Sequence, residues 1–380
     1  MANIEDYLTW RGDVPFDIDP FNEIDNLVLC ELVYSAFDGI VPGPSVKDKI
    51  SIEEVCSLFF AKYTEEELMA RTALTKLAPF LMRKMIHSKR FGGIKLSGFV
   101  NEVDAKEQMQ FAVCTFYLPD GTIYVAFRGT DDSIIGWQED FNMCYSSGTA
   151  GQLRAVKYLN DNFSRTMKPI RVGGHSKGGN FAVYASAFCK THIKDNIIAI
   201  YNNDGPGFIP ELLRTDEYKS INRRIHRFIP TESIIGMLMY TKARTKIVVS
   251  DSKGIMQHDP MSWQVIRNKF DTEKEISSYS KMMDEIIKKW ALHFDYETRE
   301  IFWDIFFDTI ISSGATKMSQ VTSQKVRSVA SITKEIQSLD PKNQALVIDV
   351  LKKLLLVGGD NIKNTLLTKL LKSPIMRKKE

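Results

Sequence analysis

The most constraining feature of the sequence is a Gly-x-Ser-x-Gly pattern formed by Gly174, Ser176 and Gly178. An apolar stretch, residues 170–173, precedes the pattern, and a stretch rich in small residues, 177–189, follows it. The first stretch predicts a strand and the second a helix, so the serine falls on the tight turn between them. Glycines at these positions let strand and helix approach closely and present the serine hydroxyl at the end of the strand. The pattern predicts a nucleophilic serine. The alternative is a glycine-rich packing turn with an incidental serine.

Short apolar strands and helices alternate around this serine. Besides the strand at 170–173, the alternation predicts a helix at 152–163 and strands at 197–201, 225–229 and 246–249. Such alternation is typical of a parallel sheet with crossover helices. Upstream, apolar residues recur with period two, which predicts an antiparallel meander of strands at 94–103, 110–118 and 122–127. The expected fold class is therefore α/β, with a mostly parallel central sheet.

Both ends of the chain are predicted to be helical. Asp19 before Pro20 predicts the start of a helix over residues 21–37, and Ser51 and Thr64 are predicted caps of two further helices. Beyond Trp263 the strand pattern stops, and the spacing predicts helices at 272–294, 296–312, 317–339 and 341–356, the last capped by Asp340.

These elements divide the 380 residues into three predicted parts. They are an N-terminal helical part, an α/β core, and a C-terminal helical extension or cap, at residues 1–92, 93–263 and 264–380. The helix around Trp303 and Phe307 is apolar enough to need a partner surface. We expect it to pack onto the core. The alternatives are self-association into a homo-oligomer and interfacial contact with a membrane.

A second group of polar residues lies where the meander ends, at Arg128-Gly129-Thr130. A polar Gly-Thr turn at the end of an apolar strand, well before a serine turn, is where a hydrolase can place its first oxyanion donor. Thr130 would supply a backbone N–H and a hydroxyl. The N–H of Lys177, at the positive end of the helix dipole, would be the second donor of this oxyanion hole.

Four segments together resemble the class 3 (fungal-type) lipase group of α/β-hydrolases. They are Phe127-Arg-Gly-Thr130 followed by Trp137 and Asp140, Gly174-His-Ser-Lys-Gly-Gly179, Asn203-Asp-Gly-Pro-Gly-Phe208, and Gln257-His-Asp-Pro260. Over about residues 21–263 the chain resembles more closely a bacterial family of lipase-like proteins allied to that group. The resemblance implies an α/β-hydrolase fold with Ser176 as nucleophile and Thr130 at the oxyanion hole.

The predicted base is His258. In α/β-hydrolases the histidine of the triad follows the serine and the acid in the chain. Of the six histidines, His258 is the one that follows a late predicted strand in a loop of the kind that delivers a base, and the resemblance places the family histidine there too. His175, in the variable position of the serine turn, is expected to point elsewhere. The alternative for His258 is a loop histidine that caps a turn with Asp259 and Pro260.

The acid of the triad has two candidates. Class 3 lipases carry an aspartate after the strand that ends here at Ile229, but this sequence has Ser233 in that place, with Glu232 beside it. Asp204, at the end of the preceding predicted strand, is the other candidate and the favoured one. The alternative for Asp204 is an aspartate that serves only the turn formed with Gly205-Pro206-Gly207.

Composition excludes several classes of protein. Fifty Lys and Arg against 47 Asp and Glu give a net charge of +3, which offers no electrostatic footprint for nucleic acid. The five cysteines are scattered without a C-x-x-C pair, so the sequence predicts no metal site, and we expect no cofactor. No basic and apolar leader is visible, and no apolar run reaches the roughly 18–20 residues of a membrane span, which predicts a cytoplasmic protein.

These observations predict a serine hydrolase, lipase- or esterase-like, that cleaves an acyl ester through an acyl-enzyme on Ser176. His258 would be the base, and Asp204 or Glu232 would orient it. The alternative function is a hydrolase-like protein without catalytic activity that acts as a binding or regulatory module.

Overall fold

In the computed structural model the strands predicted around Ser176 belong to one mixed sheet, and helices connect its parallel strands. The structure describes residues 2–44, 48–71, 73, 75–292, 294–312, 317, 337–338 and 340–358. In these residues the strands are β1 (Ile50–Ser51), β2 (Lys95–Asp104), β3 (Met109–Tyr117), β4 (Ile123–Phe127), β5 (Ile170–His175), β6 (Ile197–Asn203), β7 (Ile225–Pro230), β8 (Thr245–Val248), β9 (Val265–Ile266), β10 (Lys269–Phe270) and β11 (Thr272–Glu273).

The sheet runs in the order β1-β2-β3-β4-β5-β6-β7-β8-β11. Strands β4 to β8 pair in parallel, whereas β1 to β4 and the pair of β8 and β11 are antiparallel. The meander and the α/β class are therefore confirmed. Within this nine-stranded sheet of the described residues four pairings are antiparallel and four are parallel, so the sheet is mixed rather than mostly parallel.

Every residue of β4 is buried, and β5 and β6 are nearly so. Strands that are covered on both faces have continuous apolar sequences, and this explains why the pattern changes from alternating residues in the meander to apolar runs beyond it. The carboxyl ends of β4, β5 and β6 lie at one edge of the sheet because the strands are parallel. Thr130, Ser176 and Asp204 follow these three strands closely.

Thirteen α-helices accompany the sheet in the described ranges: α1 (Ile4–Arg11), α2 (Glu23–Leu32), α3 (Ile52–Lys62), α4 (Glu65–Met69), α5 (Leu81–Met85), α6 (Ile134–Asn142), α7 (Ala150–Phe163), α8 (Lys177–Phe188), α9 (Thr191–Asn196), α10 (Asp216–Ile221), α11 (Ser278–Leu292), α12 (Tyr296–Ser312) and α13 (Pro341–Gly358). The predicted caps Ser51, Thr64 and Asp340 are confirmed, since each accepts a hydrogen bond from an amide in the first turn.

The predicted start of α2 at Asp19-Pro20 is wrong. Its cap is Asn22, whose side chain accepts from the amides of Ile24 and Asp25. A buried ion pair explains the difference: Arg90 binds Asp25 at 2.5–2.7 Å and also donates to the backbone carbonyl of Asp19 at 2.8 Å. The carbonyls of residues 19 and 20 are therefore bound to the guanidinium, and these residues do not enter the helix.

The region beyond Trp263 also differs from the prediction. Three two-residue strands, β9 to β11, follow Trp263, and α11 begins at Ser278 rather than at residue 272. Strands this short leave no periodic signal. The helix predicted at 296–312 is confirmed, whereas the one predicted at 317–339 lies almost entirely outside the described residues. None of the described helices is both long and apolar enough to cross a membrane.

The chain separates into two compact units. The first comprises Met1–Thr130 with Ser147–Lys281 and contains the sheet, and the second comprises Asp131–Ser146 with Met282–Glu380. In the second unit α12 contacts α6 and α13, and the Phe141 ring packs at a tilt against Trp303 with ring centroids 3.9 Å apart. The finer division at residues 92 and 263 stays a prediction.

Candidate active site

Ser176 lies on a sharp turn between β5 and α8. Its backbone has φ 57° and ψ −135°, a conformation that residues other than glycine rarely adopt. The turn is held by two backbone hydrogen bonds: Ser176 N–H donates to the carbonyl of Asn203 at 2.9 Å, and Gly179 N–H donates to the carbonyl of Ser176 at 2.9 Å. The side chain is half-buried. A strained, non-glycine residue at such a turn is a hallmark of functional sites.

Glycines surround this turn because no side chain fits. A Cβ on Gly174 would overlap the carbonyl of Gly178, and a Cβ on Gly178 would overlap the carbonyl of Phe127. A Cβ on Gly129 would lie 2.8 Å from the Cβ of Ser176. The first two glycines let β5, α8 and β4 approach each other. The third shows that the turn after β4 lies directly beside Ser176.

The two predicted oxyanion donors flank the serine. Thr130 follows Gly129 in the turn just described, and Lys177 is the first residue of α8. Amides in the first turn of a helix have no acceptor within the helix and lie at the positive end of its dipole. The Lys177 side chain is buried, and its ammonium lies 5.6 Å from the centroid of the Phe181 ring, one turn along α8.

His258 and Asp204 form a hydrogen-bonded pair. The Nδ1 of His258 lies 2.6 Å from Oδ2 of Asp204, and the two side chains are 13% and 1% exposed. His258 is the last residue of a 3-10 turn, Gly254–His258, and Asp204 directly follows β6. Since the amide of Ser176 donates to Asn203, the neighbour of Asp204, this pair lies beside the serine turn.

The carboxylate of Asp204 is fixed on its other side. Its Oδ1 accepts a hydrogen bond from Ser233 Oγ at 2.5 Å and another from the amide of Gly236 at 3.2 Å. Nearby, burial lowers the pKa of Arg227 to about 10, and the charge of Asp204 opposes this shift. Ser233, which occupies the place of the acid in the resemblance to class 3 lipases, therefore binds an aspartate that comes from the preceding strand.

Glu232 binds a different part of the site. Its carboxylate accepts from the amide of Gly254 and, at 3.4 Å, from the side chain of Gln257. Gln257 Oε1 accepts in return from the amide of Glu232 at 2.7 Å, and the carbonyl of Gln257 accepts from Trp263 Nε1 at 2.8 Å. Glu232 thus holds the turn that carries His258, whereas Asp204 holds the imidazole.

His175 packs against His258, contrary to the expectation that it points elsewhere. The two ring centroids are 4.5 Å apart, and His175 Nε2 lies 2.9 Å from the backbone carbonyl of His258. The Nδ1 of His175 lies 3.0 Å from the hydroxyl of Tyr34, the second residue after α2. Burial, with a smaller contribution from His258, holds the pKa of His175 well below its ordinary value. His175 is therefore a neutral imidazole.

A polar network beneath the serine turn was not predicted. Asn26 on α2 donates to Asn203 Oδ1 at 2.8 Å, and Asn203 donates to the carbonyl of Gly174 at 3.0 Å. Tyr124 donates to Asn26 Oδ1 at 2.6 Å. All these groups are buried, and a buried polar network whose hydrogen bonds are satisfied favours one arrangement of the core over others. The network ties α2 to the strands that carry Ser176 and Asp204.

Glu31, also on α2, is a buried acid. It is 0% exposed, and neither carboxylate oxygen has a hydrogen-bond partner within the described residues. Burial raises its pKa well above the ordinary value, and the charge of Asp259 raises it further. Glu31 therefore keeps its proton to a higher pH than an exposed glutamate does.

Apolar side chains are exposed next to His258. Ile255 and Met256, in the same 3-10 turn, are 48% and 49% exposed. The segment after Ser233 adds half-buried Ile234 and Ile235. Glu232 binds this segment to the turn through the amide of Gly254. The exposed side chains of Ile255 and Met256 are the apolar surface next to His258. In the described residues no group of His, Cys, Asp and Glu has an arrangement that would hold a metal ion.

No curated protein sequence matches the chain. The Mbeg1-like family, whose members are lipase-like, matches residues 85–308, more than half of the 380 residues, and the match includes Ser176, Asp204 and His258. The chain therefore belongs to the Mbeg1-like family.

Proposed function

We propose that the chain is a serine hydrolase of the α/β-hydrolase fold that cleaves carboxylic esters through an acyl-enzyme. The observation that carries this proposal is the pairing of a strained serine turn with a buried His258–Asp204 hydrogen bond beside it. A tight turn from strand to helix, with the acid and then the histidine later in the chain, is the arrangement that the nucleophile elbow of this fold requires.

In the first half of the proposed reaction, Ser176 Oγ attacks the ester carbonyl carbon while Nε2 of His258 takes the hydroxyl proton. The imidazolium that forms is stabilised by Asp204, whose Oδ2 lies 2.6 Å from Nδ1 of His258. The amides of Thr130 and Lys177 stabilise the negative charge on the former carbonyl oxygen. The tetrahedral intermediate then collapses, the alcohol leaves with the proton from His258, and the acyl group stays on Ser176.

In the second half, a water molecule gives a proton to His258 and attacks the acyl carbon, and the same two amides stabilise the oxyanion. Collapse releases the carboxylic acid and returns the proton to Ser176 Oγ. Every proton thus moves between Ser176, His258 and the reactants, and none is transferred to Asp204.

The apolar surface next to His258 supports an uncharged, apolar acyl group as substrate. Ile255 and Met256 are half-exposed within the turn that carries the base, and an aliphatic chain bound there would remove their apolar area from water. The near balance of charge over the chain gives no attraction for a strongly charged substrate.

Labelling with a fluorophosphonate tests the proposal, because this reagent phosphonylates an activated serine. We expect the wild-type protein to be labelled and Ser176→Ala not to be. Ser164→Ala, an exposed serine at the end of α7, is the matched control and should be labelled like the wild type. A correctly folded wild-type protein that is not labelled would overturn the proposed hydrolase activity and favour the binding or regulatory alternative.

A series of p-nitrophenyl esters of graded chain length tests the substrate class. We expect kcat/KM to rise as the acyl chain grows from two carbons and to fall when a charge is placed at the end of the chain. The variant Met256→Ser should weaken the preference for longer chains while leaving the rate with acetate esters nearly unchanged. The same preference in wild type and variant would show that the chain binds elsewhere.

A further inference from the structure

Tyr34 touches both sides of the candidate active site. Its hydroxyl lies 3.2 Å from the amide nitrogen of Gly129, in the turn that leads to Thr130, and 3.0 Å from Nδ1 of His175. His175 in turn lies 2.9 Å from the carbonyl oxygen of His258. A chain of three hydrogen bonds thus runs from the proposed oxyanion turn, through Tyr34 and His175, to the backbone of the proposed base.

The direction of each bond follows from the groups at its two ends. The carbonyl of His258 can only accept, so the proton of His175 is on Nε2. Nδ1 is then an acceptor, and the Tyr34 hydroxyl donates to it at 3.0 Å, a shorter contact than the 3.4 Å to the carbonyl oxygen of His175. The oxygen of Tyr34 accepts from the amide of Gly129, which can only donate. The chain therefore has one orientation and uses the neutral form of His175.

Burial favours this orientation. It keeps His175 neutral, since its pKa is held well below the ordinary value, and it raises the pKa of Tyr34 well above its ordinary value, so the hydroxyl keeps its proton. A second proton on His175 would have to sit on Nδ1, so the Tyr34 hydroxyl could no longer donate to that nitrogen.

We propose that Tyr34 and His175 are positioning residues, which hold the Gly129–Thr130 turn and the backbone of His258 in fixed places on either side of Ser176. This inference rests on the proposed function, because it assigns the two residues to the same reaction. Neither reacts with substrate. Tyr34 fixes the peptide that carries the Thr130 amide, and His175 fixes the backbone from which the imidazole of His258 extends.

The expected effect is on the chemical step. A displacement of a reacting group by about 1 Å from a distant change can lower a rate about a hundredfold. Loss of the chain leaves Gly129 N–H and His175 Nδ1 without their partner and lets both turns relax. We therefore expect Tyr34→Phe to lower kcat for an ester by about tenfold to a hundredfold, with KM changed less than about twofold.

The matched control is Tyr158→Phe. The hydroxyl of Tyr158 is buried and donates to the carbonyl of Gly98 at 2.7 Å, in the meander and away from the serine turn. Both substitutions remove one hydroxyl that makes hydrogen bonds inside the protein, so both should lower stability by similar amounts. Only Tyr34→Phe should lower kcat and the rate of fluorophosphonate labelling. Equal losses in the two variants would show that the effect of Tyr34 is one of stability alone.

Two substitutions of His175 separate its two bonds. His175→Gln keeps an N–H that can reach the carbonyl of His258, whereas His175→Leu keeps no donor. We expect the glutamine variant to retain at least about five times more activity than the leucine variant. In the double variant of Tyr34→Phe with His175→Gln the loss should be less than the product of the single losses, because both break the same chain. Multiplicative losses would contradict a shared chain.

Hydrogen exchange of the Gly129 amide, read by NMR, tests the chain without activity. Tyr34→Phe should raise its exchange rate, and Tyr158→Phe should not. If the wild type labels and Tyr34→Phe labels equally fast, the positioning role is overturned and the proposed function stands. If the wild type does not label, the proposed function falls; then an unchanged Gly129 exchange rate in Tyr34→Phe overturns the chain too, and a faster one supports it.

Discussion

Asp204 binds His258 through one carboxylate oxygen while Ser233 and Gly236 occupy the other. The carboxylate therefore cannot rotate without losing three hydrogen bonds, and the imidazole is held by a rigid acceptor. Glu232 differs from Asp204 in this respect, because its carboxylate is bound to the backbone of the turn that carries His258.

This difference predicts unequal effects of two amide substitutions. Asp204→Asn should lower kcat/KM by about a thousandfold or more, since an amide cannot stabilise the imidazolium and can select the wrong tautomer of His258. Glu232→Gln should lower it by about tenfold or less, because the amide oxygen can still accept from Gly254. Ester hydrolysis and labelling rates measure both. A larger loss in Glu232→Gln would assign the orienting role to that residue.

The backbone of Ser176 predicts a trade-off between stability and activity. At φ 57° and ψ −135° a Cβ is strained, and glycine is not. Ser176→Gly should raise the free energy of unfolding by about 1–2 kcal/mol and abolish labelling. Ser176→Ala keeps the Cβ and should leave stability within about 0.5 kcal/mol of the wild type. Urea unfolding gives both values; equal stability of the two variants would argue against strain.

Close backbone contact at Gly178 predicts a severe loss of stability. A Cβ at this position overlaps the carbonyl of Phe127, and neither α8 nor β4 can move without breaking the turn. Gly178→Ala should lower the free energy of unfolding by about 3 kcal/mol or more. Gly43→Ala is the control, because its Cβ would meet only the carbonyl of Phe99 at an ordinary 3.7 Å. Similar unfolding midpoints for the two variants would contradict the contact.

Glu31 predicts a pH dependence of stability. Its pKa in the folded chain is raised by burial, so above the ordinary Glu pKa the unfolded chain is ionised while the folded chain keeps the proton. Over that window the free energy of unfolding falls as pH rises, by about 1.4 kcal/mol per pH unit. Glu31→Gln removes this contribution, so its stability relative to the wild type should grow as the pH rises above the ordinary Glu pKa.

Urea unfolding of both proteins at several pH values measures this difference. Glu53→Gln, an exposed acid on α3, is the matched control and should follow the wild type at every pH. Stability curves that stay parallel for Glu31→Gln and the wild type would mean that Glu31 ionises freely in the folded chain.

The part of the site that is encoded locally could be predicted from the sequence. A Cβ on Gly174 would overlap Gly178, only four residues along the chain, and the strained serine lies between these two glycines. The strands around them were found because buried parallel strands are continuous apolar runs. Two-residue strands such as Thr272–Glu273 were missed, since no period can be read from them.

The part that depends on distant partners could not be predicted. Tyr34 and His175 are 141 residues apart in the chain, and Asn26 and Asn203 are 177 apart. No local pattern marks either pair. The prediction of the start of α2 is wrong for the same reason, because the backbone of Asp19 is bound by Arg90, which is 71 residues away in the chain.

A fragment of this protein that keeps the candidate site intact must include helix α2 and Tyr34, which follows it. The family match begins at residue 85, yet Asn26 and Tyr34, which support the serine turn and its neighbours, precede it. A gene fragment that begins at residue 85 would encode Ser176, Asp204 and His258. It would lack Asn26, the partner of the buried Asn203, and Tyr34, the partner of His175. Transplantation, truncation or recombination of this chain must therefore keep its first helices together with the matched region.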